Sequence, residues 1–253
     1  MTVELGLTPD SRWDIDVAGL VGAAGAAGFT AVGLSVSRVD AAGAAALAAG
    51  GLRCHELLAL IVTSDEEATV SHAGRLAEAA AAVKARWVLA GFRVALDQDT
   101  APLISRCAAM FAEAGAGMAV EFTPYGGARS ISDALKVVEA AGVDRAGVLI
   151  DTWHFFNGDS TWEQLERVPL ERIAYVQFDD ALPPISGNGV NETMHRRAMP
   201  GDGTFELDRF ASTLLDRGWA GLVSVEVLNA ELRQLPVSEF ARQAYETTAR
   251  YWR

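Results

Sequence analysis

The feature that most constrains this chain is an alternation running its whole length: short β-branched or aromatic runs, each followed by a stretch rich in Ala, Leu and Glu. Residues 3–7, 31–35, 53–60, 87–91, 119–123, 147–151, 173–178 and 222–227 read as strands, with helical stretches such as 65–85 and 131–141 between them. Strands separated by helices pair in parallel, because a helical crossover brings the chain back along the sheet in the same direction. Eight such units without a linker in 253 residues predict a single α/β domain over 1–253, a closed (β/α)8 barrel, the fold for which about 250 residues is usual. An open sheet built for a dinucleotide would carry a GxGxxG turn after its first strand, and none follows this one.

Composition enters as a check. Hydrophobic residues make up 50% of the chain, enough for one large core. The Ala-rich stretches 18–27, 41–49 and 79–82 read as helices that pack closely, since Ala is the best helix former. Against 21 Lys+Arg stand 33 Asp+Glu, a formal charge of -12, which opposes a nucleic-acid partner. Local cation clusters still suit a small anion, which keeps Arg93 and the Arg196-Arg197 pair of interest. Cys54 and Cys107 have no metal-like spacing and read as reduced, buried thiols. No signal-like or membrane-length apolar run is present, so a cytoplasmic protein with no membrane partner is expected.

Barrel active sites lie where strands end, so polar residues at the carboxyl ends of apolar strands are the ones to collect. Four consecutive strands supply them: Glu121 in MAVEFTP, Asp151 and His154 in VLIDTWHF, Gln177, Asp179 and Asp180 in YVQFDD, and Glu226 in VSVEVLN. Carboxylates converging on one mouth repel each other, and burying them unpaired is costly. A cation should hold them. Glu121, Asp151, Gln177 and Glu226 form an all-oxygen set suited to one divalent ion, Mn²⁺ or Mg²⁺ first, with Co²⁺ a further candidate. Asp180 reads as a residue that orients a neighbouring side chain. His55 sits too early in its strand to reach the mouth and reads as a core histidine. Residues 181–204 look irregular; a loop of that length serves a site, here as a lid carrying His195. Trp153, Phe155, Phe156 and Phe92 are candidates for pocket walls.

These residues resemble the xylose-isomerase-like TIM barrels, which include sugar and sugar-phosphate isomerases and epimerases, inosose dehydratases, dehydroshikimate dehydratases and endonuclease IV. The resemblance spans essentially the whole chain. It implies metal ligands on strands five to eight, here Glu121, Asp151 of Asp151-Thr-Trp-His154, Gln177 of Gln177-Phe-Asp-Asp180, and Glu226. Gln177 stands where most isomerases and epimerases of that group carry His; the dehydroshikimate dehydratases use Gln. RRAMPGDGTFEL is similar to the group's R-x-x-PGxGxxxL segment, which implies that Arg196 or Arg197 meets the substrate.

The reaction implied is isomerisation or epimerisation of a sugar or related polyhydroxylated carbonyl compound. A metal-held carbonyl acidifies the neighbouring C–H, and Glu121 and Glu226 remove and return the proton through an enediolate. The alternative is a dehydratase, in which the same enolate expels a hydroxyl with His154 as acid or base and as a substrate contact. A trinuclear zinc endonuclease is opposed by four histidines and the acidic charge. A degenerate, non-catalytic barrel is opposed by the intact carboxylates. Homo-oligomerisation is left open by the sequence.

Overall fold

The computed structural model describes residues 3–252. Eight parallel strands close into a barrel: β1 (Glu4–Leu7), β2 (Ala31–Ser35), β3 (Arg53–Val62), β4 (Trp87–Phe92), β5 (Gly117–Glu121), β6 (Ala146–Asp151), β7 (Ile173–Phe178) and, last in the chain, β10 (Leu222–Val225). Their order around the barrel is β1-β10-β7-β6-β5-β4-β3-β2. Two short strands, β8 (Asp180–Ala181) and β9 (Arg197–Ala198), pair antiparallel outside it. The helices are α1 (Val17–Ala27), α2 (Ala41–Gly50), α3 (Glu66–Val83), α4 (Ala101–Glu113), α5 (Ile131–Ala141), α6 (Thr152–Asn157), α7 (Trp162–Arg167), α8 (Gly189–His195), α9 (Leu207–Leu215) and α10 (Val237–Thr248). No described helix is long and apolar enough to cross a membrane.

Helix α3 shows why these segments form. Asp65 caps it, accepting from the Ala68 amide at 2.9 Å, and Glu66 and Glu67 complement the positive end of the dipole. Its buried residues, Thr69, Ala73, Leu76, Ala80 and Val83, recur every three or four positions and face the barrel.

All eight expected strands are present, with shifted ends. The fifth runs from Gly117 to Glu121, two residues earlier than the apolar run suggests, because it pairs with β4 from Gly117 and with β6 from Met118. The third extends to Val62, and the eighth barrel strand stops at Val225. A larger correction concerns residues 181–204, which are not structureless. Asn188 caps α8, accepting from the Asn191 amide, and Glu192, itself buried, gathers the Ile185 and Ser186 amides. Polar capping and a buried carboxylate order this segment, so it carries little apolar periodicity.

Inside the barrel Leu89, Ala119, Leu149 and Tyr175 form one packed layer. Side chains alternate along a strand, so the residues two places on, Gly91, Glu121, Asp151 and Gln177, point the same way and top that layer at the carboxyl ends. The strand period thus delivers the polar residues to the mouth.

Candidate metal and active site

Asp151 is fully buried and ends β6 while capping α6: its Oδ1 accepts from the His154 amide at 3.1 Å. That cap explains the Asp-x-x-His spacing, since it fixes the first turn of the helix and brings the His154 ring over the mouth. His154 Nε2 lies 3.6 Å from Glu121 Oε1, and Glu121, Asp151 and His154 each offer a donor atom within 4.8 Å of the others. Glu226 lies outside this group but is joined to it through Arg197. From β9, Arg197 projects inward until it is 2% exposed, with Nη1 2.8 Å from Asp151 Oδ2, 2.6 Å from Asp179 Oδ2 and 3.3 Å from Glu226 Oε2.

The electrostatics follow from this crowding. Burial, then the negative charge of Asp151, pushes the Glu121 carboxyl up to about 8. Glu226 is raised well above its ordinary value for the same reasons, and burial with Asp151 lifts Asp179 to about 8. Burial acts on Asp151 too, but Arg197 and His154 outweigh it and hold that carboxyl below the usual range. Burial drives His154 down to about 4, so its ring is neutral near pH 7. One guanidinium therefore serves three carboxylates, with Glu121 close enough to feel its charge.

Gln177 is buried at the end of β7, beside Asp151 in register. Its Nε2 faces Glu56, 3.3 Å from Oε2 and 3.4 Å from Oε1, while its Oε1 has no hydrogen-bond partner. Glu56, fully buried in β3, also accepts from Thr8 and Tyr175 and sits 3.0 Å from His55 Nε2; these partners outweigh its burial and hold it below the usual range, hence ionised. A carboxylate only accepts, so it turns the amide's NH₂ inward and leaves the carbonyl oxygen facing the mouth. Gly33 makes room for it, since a Cβ there would meet Glu56 Oε1 at 2.8 Å.

The two arginines separate plainly. Arg197 enters the site, whereas Arg196 turns away to Glu192 Oε2 at 2.8 Å and the Pro183 carbonyl. Asp180 departs from expectation: rather than orienting a side chain of the site, it accepts the Gly201, Gly203, Phe205 and Ala181 amides and fixes the PGDG turn. His55 is a core histidine, buried with one ring nitrogen paired and Nδ1 without a partner. His195 lies 3.5 Å from Arg12 Nη1, and Arg93 is exposed. Of the four aromatics expected as pocket walls, Trp153 borders the site, with Arg197 over its ring at 5.9 Å. Phe155 and Phe156 pack against Trp162 and Phe210, and Phe92 joins the core. Sequence reasoning misses Glu56, a carboxylate within the apolar run CHELLAL, because it lies mid-strand and carries no strand-end signal.

A family model described as a xylose isomerase-like TIM barrel matches residues 21–253. The chain belongs to that family. An inosose isomerase of Halalkalibacterium halodurans is 32% identical over 136 residues, 53% of this chain and 47% of that protein. A 3-dehydroshikimate dehydratase of Pseudomonas aeruginosa is 30% identical over 103 residues, 41% of this chain and 16% of that protein. The matched segments span less than half the length of these relatives. Among solved structures, the IolI protein with a bound zinc atom has a TM-score of 0.84 at 18% identity over 98% of both chains. A D-allulose 3-epimerase from Methylomonas sp. has a TM-score of 0.75 at 16% identity, over 99% of this chain and 98% of that one. At such identities the likeness is one of fold.

Proposed function

We propose that this xylose isomerase-like barrel is a divalent-metal-dependent isomerase or epimerase acting on a sugar or related polyhydroxylated carbonyl compound. The observation that carries this reading is the donor set: Glu121, Asp151 and His154 within 4.8 Å of one another, with Gln177, in register with Asp151, offering a buried Oε1 that lacks a partner. Three carboxylates share one arginine and Glu121 lies beside them, a crowding of oxygen donors that fits a divalent cation held by Glu121, Asp151, Gln177 and Glu226 with His154 beside them. Mn²⁺ or Mg²⁺ suits the oxygen majority. When bound, such an ion supplies a Lewis acid that polarises a substrate carbonyl and acidifies the neighbouring C–H.

The remaining work falls to the chain's own groups. Glu121 and Glu226 rise from β5 and from the end of β10, with β6 and β7 between them, so they approach a bound substrate from different sides. One takes a proton from the substrate carbon and the other returns it. His154, neutral at physiological pH, accepts a hydrogen bond from a substrate hydroxyl. Arg197, the arginine of the pair that faces the chemistry, offers its guanidinium to substrate oxygens. The inosose isomerase relationship supports the isomerase reading. A dehydratase is the second reading, favoured by Gln177 and by the similarity to 3-dehydroshikimate dehydratase.

Proton exchange separates the two. Mn²⁺-loaded protein would be incubated with ketoses, inososes and dehydroshikimate in D₂O and followed by NMR. Deuterium next to the carbonyl without loss of water supports the isomerase, and a dehydrated product supports the lyase. Glu226→Gln should abolish either. Mn²⁺-loaded protein that exchanges no proton on any of these compounds would refute the proposal.

A further inference from the structure

At the other end of the barrel, among the amino-terminal ends of the strands, lies a cavity of about 700 Å³. Its described walls include Leu47 and Leu52, the aromatic faces of Trp87 and Tyr175, and His55, whose Nδ1 is buried without a hydrogen-bond partner. Three cations line it. Arg53 is paired with Glu4, but Lys84 and Arg86 are exposed and have no carboxylate within ion-pair distance among the described residues. Arg86 lies over the Trp87 ring at 5.1 Å. A second cavity of about 480 Å³ shares Arg86 and Trp87 and adds Arg145 and Arg172. Among the described residues these too have no carboxylate within ion-pair distance, although Asp144 and Glu171 line the same wall.

On a chain of formal charge -12, unpaired cations gathered at one cavity make a local positive field against the general one. Apolar and aromatic walls beside it favour a ligand with an apolar body. Lys84 adds an independent sign: at φ 52° it is the one non-glycine residue in the left-handed region among the described residues, at the C-cap of α3 where glycine is preferred. A side chain kept in a conformation that disfavours it calls for a use.

We propose that this cavity is a second ligand site, taking a small amphipathic organic anion whose apolar body lies between Leu47, Leu52 and Trp87 and whose anionic group meets Lys84 and Arg86. The site is separate from the metal-binding mouth, and its test does not depend on the reaction.

The probe is 1-anilinonaphthalene-8-sulfonate, titrated by fluorescence into the full-length folded chain, with benzoate, phenyl phosphate and benzyl alcohol as competitors. Saturable binding at one site is expected, displaced by the two anions and not by the neutral alcohol. Lys84→Gly relieves the left-handed strain, so this variant should melt no lower than the parent. Combined with Arg86→Gln it should nonetheless weaken binding at least tenfold. Ala48→Trp, from an exposed position of α2 on the cavity wall, should fill the space and weaken the probe similarly. Binding unchanged in both variants, or displaced equally by benzyl alcohol, would overturn the proposal. Displacement by only one of the two anions would support it and identify the anionic group.

Discussion

Replacing Arg197 with Met tests how the mouth balances its charge. Met preserves most of the buried stem volume and removes only the guanidinium. Arg197 Nη1 spans Asp151 at 2.8 Å, Asp179 at 2.6 Å and Glu226 at 3.3 Å, all but closed to solvent. Removing one partner of a buried ion pair costs about 3–5 kcal/mol, because the other charge is left uncompensated. For a chain of this size that is a fall in Tm of roughly 6–20 °C. The cost depends on pH. Glu121 and Asp179, raised to about 8, hold their protons more tightly folded than unfolded. The stability they contribute is therefore full below the ordinary carboxylate range and lost as pH rises through about 8. Asp151, held low, is charged throughout this range. In metal-free protein the Arg197→Met penalty should accordingly be larger at pH 8 than at pH 5, where Asp151 alone misses its partner. Saturating Mn²⁺ at about a hundred times its Kd returns about 2.7 kcal/mol. Urea midpoints at the two pH values, with and without Mn²⁺, check this. A metal-free variant within about 1 kcal/mol of the parent at pH 8 would refute the charge-balance argument.

Three further outcomes follow from the surroundings of the site. Glu56→Gln replaces one of the two acceptor oxygens by an NH₂ donor, so the Gln177 amide is no longer held in a single orientation and Mn²⁺ affinity should fall by about 10–100-fold, as for other partners that orient a ligand; calorimetric affinity within twofold of the parent would sink the orienting role. Gly33→Ala forces a methyl group against Glu56 and Thr8 and should cost about 1–3 kcal/mol in urea unfolding, the usual penalty for overpacking. Burial raises the Cys107 thiol to about 11, so a disulfide reagent at pH 8 should leave it untouched in the native chain and titrate it after unfolding; rapid labelling of Cys107 in native protein would contradict its burial.

Much of this architecture was readable because strand period and chemistry coincide. Glu121, Asp151 and Gln177 interrupt apolar runs at their ends, where a charged or amide group makes sense only at the mouth, and the barrel layer of Ala119, Leu149 and Tyr175 places them there. What escaped reading lies where the interaction is long-range or made with the backbone. Apart from the adjacent His55, Glu56 finds its partners 48 to 121 residues away, so no local spacing marks it as part of a site. Arg197 and Arg196 are adjacent and chemically equal in sequence, and only the β8–β9 pairing turns one inward. Asp180 acts on four amides, which no side-chain motif announces. Helix α8 is short and capped by Asn188, with a buried glutamate in place of an apolar stripe, and so reads as a loop.

The central claim, one divalent ion at the barrel mouth, is tested most directly by titrating metal-free protein with Mn²⁺ and counting bound ions by electron paramagnetic resonance. One ion per chain is expected. Binding should weaken at least a hundredfold in Asp151→Asn and in Glu121→Gln, and be unchanged in Lys84→Gly at the far end of the barrel. A chain that binds no Mn²⁺, or binds it as well without these two carboxylates, would contradict it.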